Sequence, residues 1–109
     1  MLFICIEDFY NKADRALRLS RDEEKEACLR MKAGDVQAKE RLVESYLFFV
    51  ASRIKRLSAD MQSLELVYSS VGALERAVDK YNFLNDGDTF AHNLRLVIEK
   101  EIAGYIAKK

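Results

Sequence analysis

Residues 64–102 read LELVYSSVGALERAVDKYNFLNDGDTFAHNLRLVIEKEI. Leu66, Val67, Val71, Leu74, Ala77 and Val78 recur at the 3.6-residue spacing that puts apolar side chains on one helical stripe. A helix from Leu64 to about Tyr81 follows, with Ser63 placed to cap it. Gly72 lies inside that helix, where glycine costs roughly 1 kcal/mol relative to alanine. It is either tolerated or permits close approach of another backbone. Asn82 to Asp88 reads as a loop with Asn85-Asp86-Gly87 as its turn. Thr89 is placed to cap a last helix whose core face is Phe90, Leu94, Val97, Ile98, Ile102 and Tyr105. Two amphipathic helices around a polar loop predict an all-α fold.

The rest of the chain agrees. Proline is absent, there are four glycines in 109 residues, and Leu, Ala, Glu, Lys and Arg are plentiful. That composition favours long helices. The length suits one domain, residues 1–109, able to bury roughly two thirds of its unfolded surface. Ile6, Phe9, Tyr10, Ala13 and Leu17 predict a first helix over Ile6–Leu19, while Leu2 to Ile6 could equally be a short extended tail on the core. Ser20 and Glu23 form a capping box, with Glu24 and Glu26 near the positive end of the next helix. That helix carries Ala27, Cys28 and Met31 inward and ends at Gly34, and Asp35 caps its successor. Ala38, Leu42, Val43, Tyr46, Leu47, Val50, Ala51 and Ile54 predict one long third helix, widened by Phe48 and Phe49 and closed by Arg53, Lys55 and Arg56. Ser58 to Ser63 is a polar linker. The expected architecture is a compact bundle of about five helices.

Function classes narrow by exclusion. Eighteen basic and eighteen acidic residues cancel, so nucleic-acid binding would need a local patch. Cys5 and Cys28 have no metal-ligand spacing; they could pair, but in a Lys/Glu-rich helical chain they read rather as two reduced, buried thiols. The apolar start MLFICI is soon followed by Glu7 and Asp8, too short for a signal peptide or membrane span; a cytoplasmic protein without membrane contact is expected. His92 is the single histidine, and Gly72, Gly87 and Gly104 stand apart rather than in a phosphate loop. No catalytic constellation, metal site or cofactor is suggested, so the expectation is not an enzyme. Aromatic and basic residues mingle from Tyr81 to Arg95, as for stacking on unpaired bases, although the same aromatics suit a core.

Residues 19–57 carry Ala33-Gly34-Asp35, then Ala38-Lys39-Glu40-Arg41-Leu42-Val43-Glu44, then Tyr46-Leu47-Phe48-Phe49-Val50. This order resembles the entry into region 2 of the bacterial sigma-70 family of transcription initiation factors. The stretch beginning Glu65-Leu66-Val67 and continuing through Leu74, Ala77-Val78, Lys80 and Tyr81-Asn82 is similar to the family's next helix. After a loop one residue longer, Phe90 falls on the phenylalanine opening the promoter-recognition helix. The resemblance covers most of the chain after Leu19; residues 1–19 lie outside its clearest part. There are departures. The family's Gln-Glu-Gly is Tyr68-Ser69-Ser70 here, and the glycine of its Gly-Leu is Ala73, with Gly72 one place early. Its two promoter-opening tryptophans fall at Leu96 and Val97, and the tyrosine before them at Asn93. Its following Arg and Gln fall at Glu99 and Lys100, and Glu99 and Glu101 would repel phosphate.

The resemblance implies a domain that binds the clamp helices of RNA polymerase core and promoter −10 DNA. Polymerase contacts would fall on Leu64, Glu65, Tyr68, Ser69, Val71 and Glu75. DNA contacts would fall on Arg76, Lys80, Phe90, His92, Asn93, Arg95 and Lys100. The family's later regions, including the helix-turn-helix for the −35 element, have no counterpart in these residues; either they belong to a longer chain or this is a lone region 2 with a partner protein supplying them. The alternative is a sigma-mimic interaction module that binds an anti-sigma factor or another regulator, which Leu96 and Val97 in place of DNA-reading aromatics would suit. A helical domain with an accidental likeness is the third reading.

Overall fold

Local signals set the helix ends. The Ser20 hydroxyl accepts from the Glu23 amide at 3.2 Å and the Glu23 carboxylate accepts from the Ser20 amide at 2.9 Å, completing the capping box. Hydrogen bonding from the Ser20 amide, and then from the Ser20 hydroxyl, holds the Glu23 carboxyl below its usual range. Gly34 takes the left-handed conformation (φ 97°) that ends the helix, and the Asp35 carboxylate then accepts from the Gln37 and Ala38 amides. Ser63 Oγ accepts from the Leu66 amide at 3.2 Å at the start of the next long helix.

The computed structural model describes residues 3–80 and 89–108. Helix α1 spans Ile6–Arg15, α2 Arg21–Lys32, α3 Val36–Ser45, α4 Leu47–Lys55, α5 Leu64–Lys80 and α6 Phe90–Ala107. A short 3₁₀ turn, Ala59–Met61, lies in the linker before α5. No strand occurs among the described residues, and the fold is an all-α bundle. Helix α5 is its centre, packing on α6 most extensively and on α3, α4 and α1 besides. Helices α2 and α3 form a hairpin, and α1 lies on α4. The predicted inward face of α5 is buried throughout, joined by Phe90, Leu94, Ile98 and Ile102 of α6 and by Leu42, Leu47, Val50 and Ile54. The described residues include no helix long and apolar enough to cross a membrane.

Several expectations are corrected. The long third helix breaks at Tyr46 (φ −103°, ψ 0°). Just before it, the Ser45 hydroxyl donates to the Leu42 carbonyl at 2.7 Å, a local bond that competes with the helical ladder. Counted as one bent helix, α3 and α4 give the expected five. Helix α1 ends at Arg15, because the chain must extend from Ala16 to reach the Ser20 cap; Leu17 is consequently exposed rather than inward. Thr89 makes no side-chain cap: its backbone is already near-helical (φ −112°, ψ −2°), which aims the hydroxyl away from the first-turn amides. Neither cysteine is in a disulfide; Cys28 is buried as expected, but Cys5 precedes the first turn of α1 and is exposed. Gly72 meets no neighbouring backbone, and a methyl group there would touch only the Arg76 guanidinium at 3.4 Å. The glycine is therefore tolerated, not required. The loop predicted over Asn82–Asp88 lies outside the described residues.

Candidate interaction surface on the last two helices

Helix α5 buries one stripe and turns another outward. The outward stripe holds Glu65, Tyr68, Glu75, Arg76, Asp79 and Lys80. Val71 lies at the edge of the buried stripe, close in phase to Val78, and is 4% exposed. Its predicted polymerase contact is corrected: although it adjoins Glu75 one turn on, its side chain packs in the core. Leu64 and Ser69 are half-buried at the margins. On α6, Phe90 is fully buried, which corrects its predicted DNA contact: it is the first core residue of that helix.

The remaining predicted DNA contacts divide by helical phase. Arg76 and Lys80 from α5 and Lys100 from α6 line one groove between the helices, of about 290 Å³. Its floor is Ala73, Ala77 and Val97, small enough to leave space above the α5–α6 contact. Among the described residues Glu101 is the one carboxylate in the lining, and its Oε1 accepts from the Ser69 hydroxyl at 2.6 Å. Neighbouring acids are paired away from the groove, Asp79 with Lys39 at 2.7 Å and Glu99 with Arg53 at 2.9 Å. Among the described residues three cations thus line the groove with one carboxylate, on a chain of zero net charge. Glu99, expected to repel phosphate, has its charge offset by Arg53; Glu101 keeps its place in the groove.

Arg95 belongs to the other flank of α6. Its guanidinium lies 5.8 Å from the centre of the Phe49 ring, on which Arg53 also rests at 4.8 Å. Nearby, the Tyr46 hydroxyl donates to Glu24 at 3.0 Å. Burial pushes the Glu24 carboxyl up, against the Tyr46 hydrogen bond and the field of Arg95, and burial with the Glu24 charge pushes the Tyr46 phenol up. Arg95 is thus held on the body of the bundle, apart from the Arg76–Lys80–Lys100 groove. His92 and Leu96 are exposed one turn apart, while Asn93 is half-buried and donates to Thr89 Oγ1 at 3.5 Å.

One feature of this surface had only a weak signal in sequence. Phe3 packs against Tyr68 and is 9% exposed, its hydrogen bonds joining positions 65 residues apart. The apolar run before α1 left an extended tail on the core as an open reading; nothing in that run identified Tyr68 as its partner. Among the described residues no group of three His, Cys, Asp or Glu side chains is arranged to hold a metal ion. No protein-family model matches the chain, and no solved structure matches it.

Proposed function

We propose that this chain is a non-catalytic, sigma region 2-like domain of the cytoplasm. The outer face of α5, around Glu65, Tyr68 and Glu75, docks on the clamp helices of RNA polymerase core. The α5–α6 groove then takes the phosphate backbone of the promoter's −10 strand. The observation that carries this reading is the convergence of Arg76, Lys80 and Lys100 on one groove while Asp79 and Glu99 are paired elsewhere. The small apolar floor lets a backbone lie close to the three cations. With three phosphates neutralised, log K for a single strand falls with log salt at a slope of roughly −2.

The test is fluorescence anisotropy of a labelled single-stranded −10 oligonucleotide with core polymerase and the purified chain, across a salt series. Lys80→Glu with Lys100→Glu should weaken binding and flatten the salt slope by about 1.4. An unchanged slope would refute the groove assignment. Absence of binding to core polymerase, with any missing sigma regions supplied by a partner, would refute the function as a whole.

The second reading, an interaction module for an anti-sigma factor, is favoured by Leu96, an exposed apolar side chain one turn from His92. Binding to a purified anti-sigma factor that Leu96→Asp abolishes, with no binding to core polymerase, would select it.

A further inference from the structure

Tyr68 stands on the α5 face read above as the polymerase dock, yet its hydroxyl is occupied twice by a single residue. It accepts from the Phe3 amide at 2.8 Å and donates to the Phe3 carbonyl at 3.2 Å. The Phe3 ring lies 6.1 Å from the Tyr68 ring and 5.4 Å from that of Phe9, edge to face against the latter. Phe3 therefore fills a notch whose walls come from α1 and α5, and the tyrosine reads its backbone as well as its ring.

The hold on the residues that follow that ring is slight. Ile4 is 92% exposed and is tied only locally, its amide donating to Asp8 Oδ2 at 3.0 Å. Cys5 precedes α1 without a side-chain cap and is exposed. One buried ring and one bonded pair thus fasten Phe3–Cys5 to α5, a contact large enough to persist and small enough for a binding partner to displace.

We propose that Phe3 is an intramolecular latch on the docking face: it occupies the notch between Phe9 and Tyr68, and it lifts when the polymerase clamp engages α5. The latch rests on the reading of α5 as the dock. A face that is open in only a fraction of molecules binds with an affinity reduced by that fraction, so loosening the latch strengthens binding. Tyr68 carries both roles, hydrogen-bonded to Phe3 when closed and turned to the partner when open.

The test uses the full chain and two variants. Phe3→Ala empties the notch. Asp8→Ala frees Ile4 from an exposed site outside both the core and the dock, and so covers the case in which Phe3→Ala unfolds, as judged by circular dichroism. Each is titrated against core polymerase, and hydrogen exchange follows the Phe3 amide in free and bound wild type. Expected are affinities about five-fold or more above wild type for Phe3→Ala, a smaller gain for Asp8→Ala, and loss of Phe3 amide protection in the complex. Folded variants that bind no tighter, or a Phe3 amide still protected in the complex, would overturn the latch and leave the docking reading standing. No binding by any of the three chains would instead overturn the docking reading, and the latch with it.

Discussion

The bundle buries two serines, and exchanging each for alanine should change stability in opposite senses. Ser45 is 4% exposed and its hydroxyl donates to the Leu42 carbonyl at 2.7 Å. Ser70, in the middle of α5, is fully buried and its Oγ has no hydrogen-bond partner. A buried hydroxyl without a partner carries a desolvation cost of about 1–3 kcal/mol, which Ser70→Ala removes. Alanine is also the better helix former, by a few tenths of a kcal/mol. The lost van der Waals contacts of one oxygen offset part of this, leaving an expected gain of about 1–2 kcal/mol. Ser45→Ala forfeits a satisfied bond worth about 1 kcal/mol and recovers only the propensity difference, a net change of roughly zero to −1 kcal/mol. The two variants should therefore differ by at least about 1 kcal/mol, which in a domain of this size separates their midpoints by roughly 4 °C. Thermal and urea unfolding followed by circular dichroism measure this, with the slope in urea checking that the unfolded state is unchanged. Ser70→Ala less stable than wild type, or equal shifts for both variants, would refute the reasoning.

Gly72→Ala should stabilise by about 1 kcal/mol, since the added methyl meets only the far end of Arg76; a loss of stability in urea unfolding would reveal a constraint at that turn of α5. Glu24 supplies a pH dependence. Its carboxyl is pushed up in the folded chain, chiefly by burial, so the native state binds that proton more tightly than the unfolded state does. Its contribution is greatest below the unfolded carboxyl range and is lost as pH rises through the folded value. Glu24→Gln keeps an acceptor for the Tyr46 hydroxyl and removes the charge, so it should match or exceed wild type in stability at neutral pH, with the difference shrinking on acidification. If Glu24→Gln instead loses stability against wild type at neutral pH and regains it near about pH 4, the assignment of the shift to burial is wrong.

The parts of the fold legible in sequence were those fixed by neighbours along the chain. Ser20 with Glu23, Asp35 and Ser63 mark helix starts through bonds spanning two or three residues, Gly34 marks an end through its left-handed backbone, and each does so in the structure. The apolar stripes of α5 and α6 are likewise a local periodicity. The break at Tyr46 was not legible, because a serine hydroxyl can turn to solvent or back to a carbonyl, and only the packed surroundings of Ser45 decide which. Site residues divided for a similar reason. Similarity by position assigns a residue to an interface but does not give its rotational phase, so Val71 and Phe90 were assigned to surfaces from which their own stripes turn them away. The opposite flanks of Lys100 and Arg95 depend on which helices lie beside α6, information held in no single segment.

The hairpin of α2 and α3 has a consequence for the order of assembly. Its two helices are adjacent in sequence, with a capped start to each and a left-handed glycine between them. Closing it joins only nearby residues, so little chain entropy is lost before contacts form. Phe3 must find Tyr68 across most of α1 to α5, at a separation of 65 residues. Folding should therefore begin at Gly34, with mutations in the hairpin slowing refolding, while those at Phe3 accelerate unfolding and leave the refolding rate nearly unchanged.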